Sequence, residues 1–235
     1  ASAYNLVSFG DFTSTGNSIA GSVAVAGDLT ARNMGMNGAS LVVGGDLDVR
    51  SGSIAGNAYV GGARSFQNAS IAGQWLQGAA PLDFSGLQQQ MQGLSASLAH
   101  ASATGRSASQ YGGLYLTGSN SMVEVFDLGL ADISGVGWSN LSGLLPGASI
   151  VFNIGGSDVR LVSGMLNGLD SRYNVLLNFY EAETLTLQNI GLTASILAPN
   201  ATLGGSNARV DGNVVVADWT GGITLAANNP FDTTD

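Results

Sequence analysis

The chain has 235 residues, of which 45% are hydrophobic and only 10% charged, with a formal net charge of -9. All seven basic residues are arginine and cysteine is absent, which excludes lysine chemistry, disulfides and thiolate metal centres. The acidic balance argues against nucleic acid or an anionic membrane surface as partner, and no run of about 18 apolar residues is present to span a bilayer as a helix.

From the N-terminus, Ala1-Ser2-Ala3 without an initiating methionine suits a mature secreted protein. Residues 1–78 then read as repeated coils. Ser18-Ile19-Ala20-Gly21 returns as Ser53-Ile54-Ala55-Gly56 and as Ser70-Ile71-Ala72-Gly73. Gly27-Asp28-Leu29-Thr30-Ala31-Arg32 returns 18 residues later as Gly45-Asp46-Leu47-Asp48-Val49-Arg50. A period of this size, with Gly, Asn, Asp and Ser between short β-branched runs, predicts stacked strands turning at corners. In Val23-Ala24-Val25, Leu41-Val42-Val43 and Ala58-Tyr59-Val60 the outer members point inward by period-two alternation. That leaves Ala24, Val42 and Tyr59 stacked on an outer face.

The period changes over residues 81–103, where Phe84, Leu87, Met91, Leu94 and Leu98 follow three- and four-residue steps. This predicts an amphipathic helix opened by Pro81 or Asp83, ended before Gly105, and packed along the flank of the coils. Strand signals resume at Leu114-Tyr115-Leu116 and continue to about residue 228, interrupted between Gly129 and Gly147 by a stretch that reads as a loop or a partial cap. The phrase Ile19 to Asp28 reappears as Val210-Asp211-Gly212-Asn213-Val214-Val215-Val216-Ala217-Asp218. The predicted fold is mostly β: a right-handed β-solenoid, or discontinuous β-helix, with one amphipathic α-helix alongside, in a single domain spanning 1–235. Trp75, before the helix, and Trp219, after the last clear coil, are predicted to plug the solenoid ends.

Several motifs in order resemble a choice-of-anchor A domain: Tyr4 to Phe12, Gly21 to Asp28, Asn178-Phe179-Tyr180-Glu181-Ala182, Ser195 to Ala201 and Gly212-Asn213-Val214-Val215. The resemblance runs from about Tyr4 to Phe231. It implies a bacterial adhesive module, secreted or tethered to the cell surface; no anchoring segment is read within these residues. It is also similar to the ice-binding, adhesin-type β-solenoid, which implies that late coils stack beside early ones.

Candidate sites follow from residue chemistry. The outward positions Ala24, Val42, Tyr59 and Val215 are predicted to form a flat contact face. Asp28, Asp46 and Asp48 are oxygen ligands of the kind Ca²⁺ takes, although Asp after Gly also caps backbone N–H groups at turns. The absence of a dense Asp-rich array favours the capping role, and no metal or other cofactor is expected. Glu181 with Glu183 and Asp46 with Asp48 are carboxylate pairs, but a glycosidase needs two carboxylates about 5–10 Å apart across a cleft, one of them in an apolar setting. His100, the sole histidine, sits near the helix C-terminus, where a cation is favoured by the dipole. Tyr59, Tyr111, Tyr115, Tyr173 and Tyr180, with the tryptophans, are candidate aromatic platforms, and sequons lie at Asn68, Asn140 and Asn200.

The expected function is non-enzymatic adhesion to a surface, matrix polymer or host ligand through a flat solenoid face, with no catalytic residue. The alternatives are ice binding through the same face, against which the threonine pairs Thr13/Thr15 and Thr184/Thr186 do not recur coil after coil, and a polysaccharide-active enzyme.

Overall fold

In the computed structural model, which describes residues 3–231, short strands hydrogen-bond to the strands above and below them rather than to their chain neighbours. The first coil comprises β1 (Leu6–Ser8), β2 (Phe12–Thr15) and β3 (Ser18–Ile19), and the second β4 (Val23–Val25), β5 (Leu29–Arg32) and β6 (Gly35–Met36). A third follows with β7 (Ser40–Val43), β8 (Leu47–Arg50) and β9 (Ser53–Ile54), and a fourth with β10 (Asn57–Val60), β11 (Arg64–Gln67) and β12 (Ser70–Ile71). After β13 (Trp75–Leu76) the chain departs through α1 (Phe84–Ala99) and an antiparallel hairpin, β14 (Arg106–Gln110) and β15 (Gly113–Thr117). Next come β16 (Val123–Leu128), α2 (Leu130–Ile133) and β17 (Trp138–Ser142). Coils then resume with β18 (Ser149–Ile154) and β19 (Asp158–Val162), then β20 (Asn174–Asn178), β21 (Thr184–Gln188) and β22 (Gly191–Leu192). The long, bent β23 (Ser195–Val210) supplies a whole coil, and β24 (Val214–Thr220) with β25 (Gly222–Leu225) the last.

The stacking order is not the chain order. Val214, Val215 and Val216 of β24 pair in parallel with Leu6, Val7 and Ser8 of β1, so the last coil lies directly on the first. The first side of the stack therefore runs β16, β18, β20, β23, β24, β1, β4, β7, β10, β13. A second side runs β19, β21, β23, β24, β2, β5, β8, β11. The third joins β22, β23, β25, β3, β6, β9 and β12.

At the seam two inward-facing serines bind carbonyls of the closing coil: Ser8 Oγ donates to Ala217 O (3.0 Å) and Ser14 Oγ to Gly221 O (2.8 Å). Both side chains are buried, and these bonds satisfy hydroxyls that would otherwise lose their water partners. Trp219, expected at an end of the solenoid, instead lies fully buried within this seam, stacked on Phe12 at 5.6 Å. The reason is the fold-back: the end of the coiled sequence is the middle of the stack. Trp75 does sit at the outermost coil, edge-on to Phe66 at 5.5 Å and beneath the Arg64 guanidinium at 4.8 Å.

Alternation builds the interior. Val23, Val25, Leu29, Ala31 and their counterparts in each coil share one core that extends through both halves of the stack. Between the second and third sides the chain turns through left-handed backbone once per coil, at Gly16, Asn33, Ser51 and Asn68 in the first half and at Asn189 and Asn207 in the second. Glycine and asparagine tolerate that conformation best.

The helix is shorter than the predicted 81–103. Asp83 caps it by accepting a hydrogen bond from Gly86 N (3.0 Å), and His100 closes it. The stretch from Gly129 to Gly147 contains more regular structure than expected: α2, and β17, which pairs in parallel with β15 to make a separate three-stranded sheet with β14. Leu114 and Leu116 face inward from this sheet to the main core.

Beside it, Glu124 of β16 is fully buried. Its carboxylate accepts from Thr104 Oγ1 (2.7 Å), Ser119 N (2.7 Å), Ser121 N (3.0 Å) and Ser119 Oγ (3.1 Å). Burial alone would raise its pKa, but the bonds from Ser121, Thr104 and Ser119 outweigh burial and hold it below the usual glutamate range. A depressed carboxylate pKa adds stability that is complete above the unfolded-state value and disappears as pH falls through the folded-state value. Glu124→Gln is therefore expected to lower stability at neutral pH and to flatten the acid limb of a denaturation-midpoint profile below about pH 4.5; an acid limb parallel to the wild type would contradict this role.

Candidate functional site

The outward row of the first side joins Val215, Val7, Ala24, Val42 and Tyr59 in continuous register. The ladder predicted from alternation is thus present, but α1 lies over it. Ala24, Val42 and Tyr59 are 0%, 1% and 9% exposed, packed with Leu82, Phe84 and Leu87. Tyr59 Oη also donates to Gly78 O at 3.1 Å. Val215 remains half-buried and touches both this cluster and a second one, where Met91 and Leu98 meet Val151, Leu176 and Leu197. These four residues form the seat of the helix rather than a free contact face. An apolar row on a sheet and an apolar stripe on a neighbouring helix are each other's best cover, because burial removes both from water. Leu94, part of the predicted stripe, stays exposed at the mouth of a cleft of about 670 Å³ between α1 and the sheet.

Beyond Leu197 the same row continues as Asn178, Asn153 and Asp127. Here the helix is held by polar contacts. Ser95 Oγ donates to Asn178 Oδ1 (2.6 Å), Asn178 Nδ2 donates to Ser95 O (2.9 Å) and Asn153 Oδ1 (2.9 Å), and Asn153 Nδ2 donates to Leu98 O (2.8 Å). Gln92 adds a bond to Asn200 Oδ1 at 2.7 Å. Asn178 is not among the predicted site residues; its signal in the sequence is an asparagine in an outward strand position where the neighbouring rows are apolar.

The second side carries no helix. Along its outward middle row Thr186 pairs with Gly204, Thr220 with Thr13, Thr13 with Thr30, Thr30 with Asp48, and Asp48 with Ser65. Thr184 and Thr202 stand side by side in the adjacent row, and Thr15 pairs with Arg32. Thr220 thus joins Thr13 and Thr30 in three consecutive rungs about 4.8 Å apart, while Gly204 separates Thr186 from this run. Charged residues bound this row: Arg160 pairs with Thr186 at one end, and at the other Asp48 is contacted by Arg32 at 2.6 Å and approached by Arg50 at 3.4 Å. The hydrogen bond from Arg32 is the main reason the Asp48 carboxyl lies below the usual aspartate range.

Asp28 and Asp46 belong to a ladder at the corner between the first and second sides. Asp218 Oδ1 accepts from Asp11 N (2.7 Å), Asp11 Oδ1 from Asp28 N (2.8 Å), Asp28 Oδ1 from Asp46 N (2.7 Å), and Asp46 Oδ1 from Ala63 N (2.7 Å). Each carboxylate caps the backbone of the next coil, across the seam as well as within the N-terminal half. The preceding glycine is required by closeness: a Cβ at Gly27 would collide with Asp11 Oδ1. Among the described residues no cluster of three or more acidic or histidine side chains could hold a metal ion.

The remaining candidates are dispersed. Glu181 Oε2 accepts from Gly156 N at 2.9 Å, while Asp46 and Asp48 are engaged in the corner ladder and the arginine pair. His100 Nδ1 lies 2.7 Å from Ala96 O, one of the last helix carbonyls. Trp138 and Tyr115 meet on the outer face of the three-stranded sheet.

Over residues 1–226 the chain matches the model of the family described as "Putative Ice-binding-like adhesive domain", and it belongs to that family. No curated protein matches the chain and no solved structure does.

The capping role of the corner aspartates has a direct test. Asp28→Asn keeps an acceptor oxygen and is expected to leave stability within about 0.5 kcal/mol of the wild type, whereas Asp28→Ala hands the exposed Asp46 N–H to water and costs about 0.5–1.5 kcal/mol. Denaturant titrations read both values. A melting temperature that climbs with added Ca²⁺ in the wild type but not in Asp28→Ala would contradict the role.

Proposed function

We propose that this member of the ice-binding-like adhesive family is a non-enzymatic attachment module whose contact surface is the helix-free second side. The observation that carries the proposal is the division of the outer surface. The apolar row is occupied by α1, and the row Thr186, Gly204, Thr220, Thr13 and Thr30 is left uncovered and uncharged between Arg160 and Asp48. A rigid coil stack loses little conformational entropy on binding, so many weak contacts add up along it, more so when several copies share one surface.

The motif order of a choice-of-anchor A domain supports a bacterial origin and display outside the cell, secreted or surface-tethered, with residues 1–235 acting as one unit. The partner is an extended polymer or solid surface, such as a glycan matrix, a matrix protein or a host ligand, in preference to a small molecule.

Ice binding is the second reading, and the threonine row favours it. The methyl and hydroxyl groups of Thr220, Thr13 and Thr30, about 4.8 Å apart along the stack, with Thr15 about 6.7 Å from Thr13 along its strand, form a patch that can order water. A third reading, polysaccharide cleavage, has less support because Glu181 and Asp46 accept from backbone N–H groups and Asp48 pairs with Arg32.

One comparison separates these readings: wild type and Thr13→Arg on a glycan and matrix-protein array, alongside ice-recrystallisation and thermal-hysteresis assays. Adhesion through this side expects array binding that falls at least about tenfold, or about 1.4 kcal/mol, in Thr13→Arg. Ice shaping by the wild type that the same substitution abolishes would favour the second reading. Binding unchanged in Thr13→Arg would remove the contact surface from this side, and turnover of a polysaccharide would overturn the non-enzymatic reading.

A further inference from the structure

The three-stranded sheet β14–β15–β17 lies apart from the coil faces, and its inward side is spent on the core through Leu114 and Leu116. Its outer side follows from the register. Tyr115 lies between Ala108 and Asn140, and Gly113 between Gln110 and Trp138. Because Gly113 has no side chain, the Trp138 ring lies across it, so that a Cβ there would run into the six-membered part of the indole. Tyr115 stands almost perpendicular to that ring, 5.3 Å between centroids at 77°. The two rings thus make a floor and a wall. Trp138 is still 38% exposed, so the indole face turned away from Gly113 meets water.

The groups around this corner are polar and unspent. Among the described residues, the side chains of Gln110, Asn140 and Arg106 have no hydrogen-bond partner, and all three are exposed. The three strands contain no acidic residue, in a chain whose net charge is -9. A bare aromatic face is matched by a flat ligand with a C–H face, and free amides beside it are matched by hydroxyls around that ligand's rim. A pyranose has both. The overall negative charge disfavours an acidic polymer at long range.

We infer that the outer face of this sheet is a second binding site, taking an uncharged pyranose unit of a glycan chain. The sugar's C–H face rests on Trp138 against the edge set by Tyr115, and its hydroxyls bond to the amides of Gln110 and Asn140. The site is separate from the threonine side, and neither depends on the other.

The test is a titration of the isotopically labelled full chain with cellohexaose, chitohexaose and mannohexaose, and with hexagalacturonate as the acidic control, followed by the Trp138 indole N–H and the Asn140 and Gln110 side-chain amides. Saturable shifts of these signals are expected with at least one neutral hexaose. Trp138→Phe, which keeps a ring over Gly113, and Asn140→Ala are each expected to weaken binding about fivefold. Thr13→Arg is expected to leave it unchanged, so loss of this site and loss of the threonine side are read separately. A purely structural tryptophan would change the melting temperature in Trp138→Phe but not the titration. The inference is overturned by unshifted signals up to about 10 mM sugar, by binding undiminished in both variants, or by a response to the uronate hexamer alone.

Discussion

The hydrogen-bonded seam between β24 and the β1–β2 coil is the constraint on which the other features rest. It joins residues 207 to 209 positions apart, pairs Val214 to Val216 with Leu6 to Ser8, and places Trp219 against Phe12 in the core. Closing so long a loop is entropically costly, although the cost grows only slowly with length, and such non-local pairing makes for slow folding. In return the two half-stacks hide an edge from each other. An unpaired strand edge is a template for aggregation, and the seam removes one from each half. It also makes the threonine row, the aspartate ladder and the seat of α1 continuous, since each crosses from one half to the other at this joint.

The division of the outer surface follows from the same stacking. Alternation gives every side an outward row, and the chemistry of each row decides its fate. Where the row is Val7, Ala24, Val42 and Tyr59, water is excluded by α1; where it becomes Asn178 and Asn153, the helix is held by hydrogen bonds that fix its position along the stack. Buried polar groups of this kind specify one docking geometry when fully satisfied. The threonine and serine rows have no apolar reason to be covered, and they remain as surface.

Much of the fold was legible in the amino-acid sequence because solenoid coils repeat local chemistry. Gly-Asp pairs marked the corners, three-residue alternation set Ala24, Val42 and Tyr59 in one row, and the 3.6-residue stripe located the helix. What escaped was relational. The contact surface expected on that apolar row and the helix expected on the flank compete for the same ground, and only the packing shows that the helix takes it. Thr220 beside Thr13 was invisible because no local period connects residues at opposite ends of the chain, which is also why Trp219 was expected at an end. Of the sheet β14–β15–β17 only the Leu114-Tyr115-Leu116 strand was legible, because Arg106 to Gln110 and Trp138 to Ser142 are polar strands with little hydrophobic patterning, recognisable only by their pairing with β15.

A cross-link across the seam tests its existence most directly. The chain has no cysteine, so the thiols of a Thr13→Cys, Thr220→Cys double variant are the only ones present. Paired parallel strands place Cα atoms about 4.8 Å apart, within the range a disulfide spans. Mild oxidation is expected to convert this variant quantitatively to an intramolecularly bridged monomer with an unchanged circular dichroism spectrum, while Thr13→Cys with Ser65→Cys remains reduced. Free thiols or intermolecular dimers from the Thr13, Thr220 pair would show that the closing coil does not rest on the opening one.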